Sequence, residues 1–279
     1  MKMEIMGHNS IKKIAFSNEE KCPCGSNKKY KECCEPLYDF IGYNYKDVPV
    51  LLDKDKTKKS IEEIEKFSKS HITNSYNLQN GITIRQGLDI LEKLYKLFDE
   101  KFELQSQYAS CEKGCSGTCC NIIAECTPIE AELIRRYVRK NFNNEIIKKI
   151  ELYNAKNIKE VPRFKESIIN DNLRYEYYEK EIKCMFLDKN NECLIYNIRP
   201  FTCRKHIVFS SPKKCMPGKT ENRYIGSIND IMEKCVYNIS LGVYGELFKI
   251  RWIRNYFYNT KAIQLWFENG FGKINFEID

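Results

Sequence analysis

Apolar residues recur at helical intervals along most of this chain. Leu88, Leu91, Leu94, Tyr95, Phe98 and Phe102 share one helix face, and Thr83 and Gln86 ahead of them have capping-box spacing. Thr127, Pro128 and Glu130 make a second start signal: a cap, a proline at the first helical position and a glutamate at the third. Ile129, Leu133 and Tyr137 then line one face. Similar stripes predict helices over 60–69 (Ile61, Ile64, Phe67), 145–158 (Ile146, Ile150, Tyr153) and 163–182 (Phe164, Ile168, Tyr175, Tyr178, Ile182). Another is marked by Ile228, Ile231, Met232, Cys235 and Ile239, and a last long one by Val243, Leu247, Ile250 and Phe257, with Trp252 and Trp266 near it. Residues 37–60, with Gly42, Pro49 and a lysine-rich run from Lys54 to Lys59, read as a solvated linker. F-E-N-G-F-G-K-I-N-F near the C-terminus reads as a small hairpin. The pattern predicts a mainly α fold.

Composition changes that picture little. The chain has 279 residues, 42% of them hydrophobic, with 18 Tyr and 15 Phe, enough for a real core. No apolar run approaches the roughly 18–20 residues a membrane helix needs. The N-terminus lacks the apolar core and cleavage site of a signal peptide, so the chain reads as cytoplasmic, without a membrane role. The formal charge of +8 would suit nucleic acid, but Lys, Asn and Ile are abundant throughout, which makes it a compositional bias first.

Cysteine changes the picture most. Fourteen cysteines in a reducing compartment point away from a disulfide framework. Cys22-Pro-Cys24 and the vicinal pairs Cys33-Cys34 and Cys119-Cys120 are also too close for easy internal bridges. Thiolates gathered in turn-like sequence instead suit a metal. Cys22, Cys24, Cys33 and Cys34 match the tetrahedral demand of zinc, and Gly25 and Ser26 allow a tight turn whose N–H groups can face sulfur. Lys28, Lys29 and Lys31 would offset the negative charge of such a site. Further on, Cys111, Cys115, Cys119, Cys120, Cys184, Cys193, Cys203 and Cys215 could serve two zinc ions or one or two iron–sulfur clusters. Cys235 lies on an apolar helix face and reads as a buried structural thiol. Pro200 biases Arg199 towards an extended backbone, and Arg199 is a candidate donor to cluster sulfur or a partner for Glu192.

The run from Cys22 to Cys34, with its Pro, Gly-Ser and Lys-Lys-Tyr-Lys, resembles the SEC-C motif. That resemblance implies a zinc-binding knuckle that contacts a protein or ribosomal partner. The pattern C-x-F-L-x(5)-C-x-I-Y-x-x-R-P-x-x-C-R, carried by Cys184, Phe186, Leu187, Cys193, Ile195, Tyr196, Arg199, Pro200, Cys203 and Arg204, follows Cys115, Cys119 and Cys120. Over roughly residues 108–215 it resembles the YkgJ family of zinc- or iron-chelating cysteine-cluster proteins. The family pattern C-x-x-C-x-x-C-C is widened here to gaps of three and three residues, which loosens the roles of Cys111 and Cys115. The flagellin lysine-N-methylase family has a related pattern and implies an alternative, an iron–sulfur protein-lysine methyltransferase. Against an enzyme, no glycine-rich nucleotide loop follows a strand, and only three histidines are present. The expected organisation is a zinc module over 1–40, a linker and short helix over 41–80, and a helical cysteine-cluster domain over 81–279.

Overall fold

The computed structural model describes residues 17–73, 81–111, 115, 118–163, 170, 172–211, 227–244 and 251–257. Its elements, in chain order, are strands β1 (Tyr38–Tyr43) and β2 (Pro49–Asp53), helices α1 (Lys54–Ser68) and α2 (Ile84–Ser106), and strand β3 (Glu125–Cys126). Then come α3 (Pro128–Asn141), α4 (Asn144–Asn157), α5 (Asn172–Glu179), the short α6 (Phe201–Arg204), α7 (Ser227–Tyr244), strand β4 (Arg251–Trp252) and the short α8 (Ile253–Tyr256). The fold is mainly α, as the periodicity predicts. Among the described residues no helix is long and apolar enough to cross a membrane.

Both anticipated capping boxes are present. Thr83 Oγ1 accepts from Gln86 N while Gln86 Oε1 accepts from Thr83 N, and Thr127 and Glu130 repeat the exchange at the start of α3. The apolar stripe of α2, Leu88 through Phe102, is buried in a core with Ile64 of α1, Ile129 and Leu133 of α3, Phe201 of α6, and Met232 and Ile239 of α7. Each fully buried Leu, Ile or Phe there contributes about 1.5–3 kcal/mol. Phe98 is the hub: its ring meets Phe201 edge-on at 5.1 Å and stacks on Phe102 at 4.5 Å. A second cluster packs Ile134 and Val138 of α3 with Ile150, Phe186, Ile195, Tyr256 and Phe257.

Three expectations need correction. Residues 38–53 are a hairpin, with β1 antiparallel to β2 and a bulge between Phe40 and Gly42. Helix α1 starts at Lys54 rather than near Ser60, because the Asp53 side chain accepts from Lys56 N at 2.8 Å and caps it. The lysine run is therefore the first turns of a helix. Third, Arg251 and Trp252 form an antiparallel bridge to Cys126 and Glu125, so no single helix runs from Val243 to Phe257. Within the predicted 163–182 helix the described helical part is Asn172–Glu179. Leu247, Ile250, Trp266, Cys215 and the C-terminal hairpin lie outside the described residues.

The hairpin is a partition. Phe40 and Leu51, partners in register, face Cys22, Tyr30 and Cys34, whereas Val50, Leu52 and Ile41 face the main core. Strand alternation lets one short hairpin seal two cores at once. Tyr108 OH donates to Leu51 O and Asn44 Nδ2 donates to Tyr108 O, which ties the hairpin to the end of α2.

Candidate metal centre

The N-terminal sulfurs converge. The ligand atoms of Cys22, Cys24, Cys33 and Cys34 all lie within 4.8 Å of one another. Zinc–sulfur bonds of about 2.3 Å in a tetrahedron put sulfurs about 3.8 Å apart, so this donor set fits zinc. Local backbone explains the convergence. Gly25, at φ +82°, closes a turn in which its N–H bonds Cys22 O at 3.1 Å. The single helical turn Tyr30–Glu32 then ends at Cys33, whose unusual backbone (φ −126°, ψ −88°) swings Cys33 and Cys34 onto one centre. The hydroxyl of Ser26 lies 3.2 Å from Cys33 Sγ.

Ser26, by side chain and then with the Cys22 thiol and its own backbone N–H, brings the Cys24 thiol down to about 6. Burial pushes the Cys34 thiol up, with Cys22 and Cys24 adding to it. Gathering thiols so tightly disfavours several thiolates without a cation between them, which a metal would supply. Lys29 and Lys31 pair with Glu19 and hold its carboxyl down to about 2, so their nearest anion is this carboxylate.

The second group is gathered by scaffold rather than by local turns. Desolvation pushes the Cys203 thiol well up, although the residue keeps exposed surface, and Cys184, Cys193 and Cys119 push it further. Those four sulfurs therefore share one neighbourhood. Cys184 N donates to Cys120 O at 2.7 Å, which joins the first cysteine run to the 184–193 loop. That loop folds back on itself through a Leu187–Cys193 bridge and a Leu194 N to Phe186 O bond of 2.8 Å. Cys111 and Cys115 influence each other instead, and Cys111 Sγ accepts from Val208 N at 3.4 Å. Among the described residues, the second group is not closed to the spacing seen in the knuckle.

Arg199 stands between the two subsets. Its backbone is extended (φ −57°, ψ 147°), as the following proline requires. Burial pushes the thiols of both Cys203 and Cys111 up; the Arg199 guanidinium, stacked on Tyr196 at 4.0 Å, offsets a part of that rise. Arg254, buried and bonded to Asn154 Oδ1 and to the Lys183 carbonyl, does the same for Cys184.

One buried carboxylate holds this arrangement in place. Glu130 Oε1 accepts from Tyr95 OH and from Phe201 N, each at 2.6 Å, while Oε2 accepts from Thr127 N and Oγ1 at 2.8 Å. It thereby fastens the start of α6, which carries Cys203, to α2 and α3. Arg204 adds a second clamp: it is buried, stacks on Tyr95 at 4.2 Å, pairs with Asp99 and donates to Asn197 O. The capping spacing marked Glu130 only as a cap. Its link to Phe201, 71 residues away, has no local signal, and neither does the Arg254–Asn154 pair. Cys126 and Cys235 are buried, and Cys126 lies beside Glu130 and Cys203.

Four convergent thiols, with a second thiol cluster under two guanidinium groups, define a metal-binding protein. Residues 20–36 match the family model of the SEC-C motif, and residues 110–225 match the family model described as "Putative zinc- or iron-chelating domain", of CxxCxxCC pattern. No curated protein and no solved structure matches the chain.

Proposed function

We propose that this chain is a two-site metalloprotein of YkgJ-like type. Zinc is held by Cys22, Cys24, Cys33 and Cys34, and a second zinc ion or an iron–sulfur cluster is held within residues 110–225. The observation that carries the first site is the mutual approach of four sulfurs within 4.8 Å. For the second, Cys119, Cys184, Cys193 and Cys203 are the proposed ligands, supported by the bond from Cys184 N to Cys120 O, the Leu187–Cys193 bridge and the influence of the first three thiols on Cys203. Cys111, Cys115 and Cys120 are further candidates, as is Cys215 from its place in the sequence. Zinc would supply a cross-link and an iron–sulfur cluster would supply electron transfer; the chain's own part is to gather thiolates and offset their charge with Arg199 and Arg254.

The knuckle then serves as a docking element for a protein or ribosomal partner. Among the described residues 17–53 five Lys face seven Asp and Glu, a slightly acidic balance. A protein surface is the better-supported partner on that count.

The methyltransferase alternative would need a place for a substrate amine. A crevice beside α6, lined by Glu125, Cys126, Glu130, Thr202, Glu233 and Tyr237, has the right sign of charge. Its carboxylates are already engaged: Glu125 with Arg174, Glu233 with Lys205, Glu130 with its four donors. The metal-binding reading is therefore preferred. Anaerobic purification followed by metal and acid-labile sulfide analysis tests it. Zinc at the knuckle plus either a second zinc or iron with sulfide is expected; a metal-free protein that takes up neither ends the reading.

A further inference from the structure

The four knuckle sulfurs are not equivalent. Cys22 and Cys34 are 4% and 8% exposed and pack with Tyr30 and Phe40, whereas Cys24 is exposed and Cys33 half-exposed. The sulfurs of the outer pair, Cys24 and Cys33, lie 3.6 Å apart. Backbone bonds hold the inner pair, Cys22 N donating to Lys28 O and Cys34 O accepting from Leu37 N and Tyr38 N, while Cys33 is held by one bond from its N–H to Tyr30 O. Beside the outer pair the chain has room, since a Cβ built on Gly25 would meet nothing within 4 Å.

We infer that Cys24 and Cys33 form an oxidation-sensitive pair that closes to a disulfide under hydrogen peroxide and releases the knuckle metal. The inference rests on the metal-binding reading of the knuckle. The Cys24 thiolate attacks one peroxide oxygen, so an S–O bond forms, the O–O bond breaks, and hydroxide leaves and takes up a proton. Cys33 thiolate then attacks the resulting sulfenic sulfur; the S–S bond forms, the S–O bond breaks, and a second hydroxide departs as water. The two sulfurs together lose two electrons and one peroxide gains them. Two of the four ligands are thereby converted to disulfide sulfur, a poor metal ligand, while Cys22 and Cys34 stay reduced in their small core.

Hydrogen peroxide is added stepwise to the zinc-loaded full chain and, separately, to the metal-free chain. Released zinc is read with a chromophoric chelator, and knuckle peptides are mapped by tandem mass spectrometry. Cleavage after Lys21, Lys28 and Lys31 puts Cys24 and Cys33 on different peptides, and fragmentation at Pro23 separates Cys24 from Cys22. The expected result is a Cys24–Cys33 linked species first, one zinc released from the knuckle per linkage, and both reversed by dithiothreitol. First linkage through Cys22 or Cys34, or knuckle thiols that stay reduced in excess peroxide, overturns the inference. Failure of the knuckle to take up zinc at all sinks the parent reading instead. In that case the metal-free arm still reports whether the outer pair links first, and any other first linkage overturns the pairing.

Discussion

Thirteen consecutive residues, from Cys22 to Cys34, carry all the sulfurs of the knuckle, while those around Cys203 come from three separated segments, at residues 119, 184–193 and 203. Among the described residues the knuckle core has four buried side chains, two of them its own cysteines. The second group leans on the large core of α2, α3 and α7 through Glu130 and Arg204. A site built from one short stretch needs its ion in order to hold its shape. A site built from distant segments is shaped by its scaffold and can keep that shape before it is filled.

Metal removal breaks that comparison most severely, because structural zinc in small modules contributes about 10–16 kcal/mol. Chelation is expected to abolish the fixed environments of Tyr30 and Phe40, seen as collapsed side-chain NMR dispersion, with helical circular dichroism nearly unchanged. A knuckle that keeps its dispersion after complete zinc loss would make it a self-sufficient fold. Next in size is Glu130→Ala, which strands Tyr95 OH, Thr127 and the Phe201 N–H in the core. A loss of about 3–5 kcal/mol in denaturant unfolding is expected, with metal lost from the second group and retained by the knuckle. Equal loss from both sites would mean that the two regions are not separately held. Glu145→Ala, on the exposed face of α4, should stay within about 0.5 kcal/mol.

The same contrast explains what could be read from sequence. Every ligand-bearing feature of the knuckle is local: the C-P-C-G-S turn, the vicinal pair, the sixteen-odd residues of motif. The helices α2 and α3 were legible too, because Thr83–Gln86 and Thr127–Glu130 are three-residue signals. The hairpin was hidden because its turn, Asn44 to Asp47, lacks the usual Asn-Gly or Asp-Gly pair, and because its two faces bury against different cores. Asp53 was a legible cap that the neighbouring lysines masked. The second group resisted for a different reason: cysteine spacing marks candidates, but which of them meet depends on contacts such as Glu130–Phe201 and Arg254–Asn154 that span 71 and 100 residues.

A smaller perturbation sharpens the role of that scaffold. Gly87 lies in α2 where a Cβ would come within 2.4 Å of Val243 Cγ2 and 3.3 Å of Ile129 Cδ1. Alanine gains up to about 1 kcal/mol of helix propensity, yet overpacking against a β-branched side chain costs about 1–3 kcal/mol. Gly87→Ala is expected to lose about 1 kcal/mol net, and adding Val243→Ala should recover part of that in a double-mutant cycle. An additive cycle would place the cost elsewhere than at the α2–α7 contact.

A final effect is a pH slope. Burial, then Glu130 and Cys203, push the Cys126 thiol well above its ordinary value of 9.0. A thiol whose folded pKa is raised keeps its proton in the native state at a pH where the unfolded chain has lost it. Its contribution to stability is therefore complete below about pH 9 and declines as pH climbs towards the folded value, by at most about 1.4 kcal/mol per unit. Cys126→Ala removes that contribution along with some packing. Its destabilisation, measured by denaturant midpoints in the metal-loaded protein, should accordingly be larger at pH 8 than at pH 10. Tyr95 shares the upward direction, pushed first by burial and then by Glu130, with Cys126 the smallest contributor, so its ionisation steepens both curves nearly alike. A gap that stays constant with pH would mean that Cys126 matters for packing alone, and that the electrostatic reach of the second thiol group ends before β3.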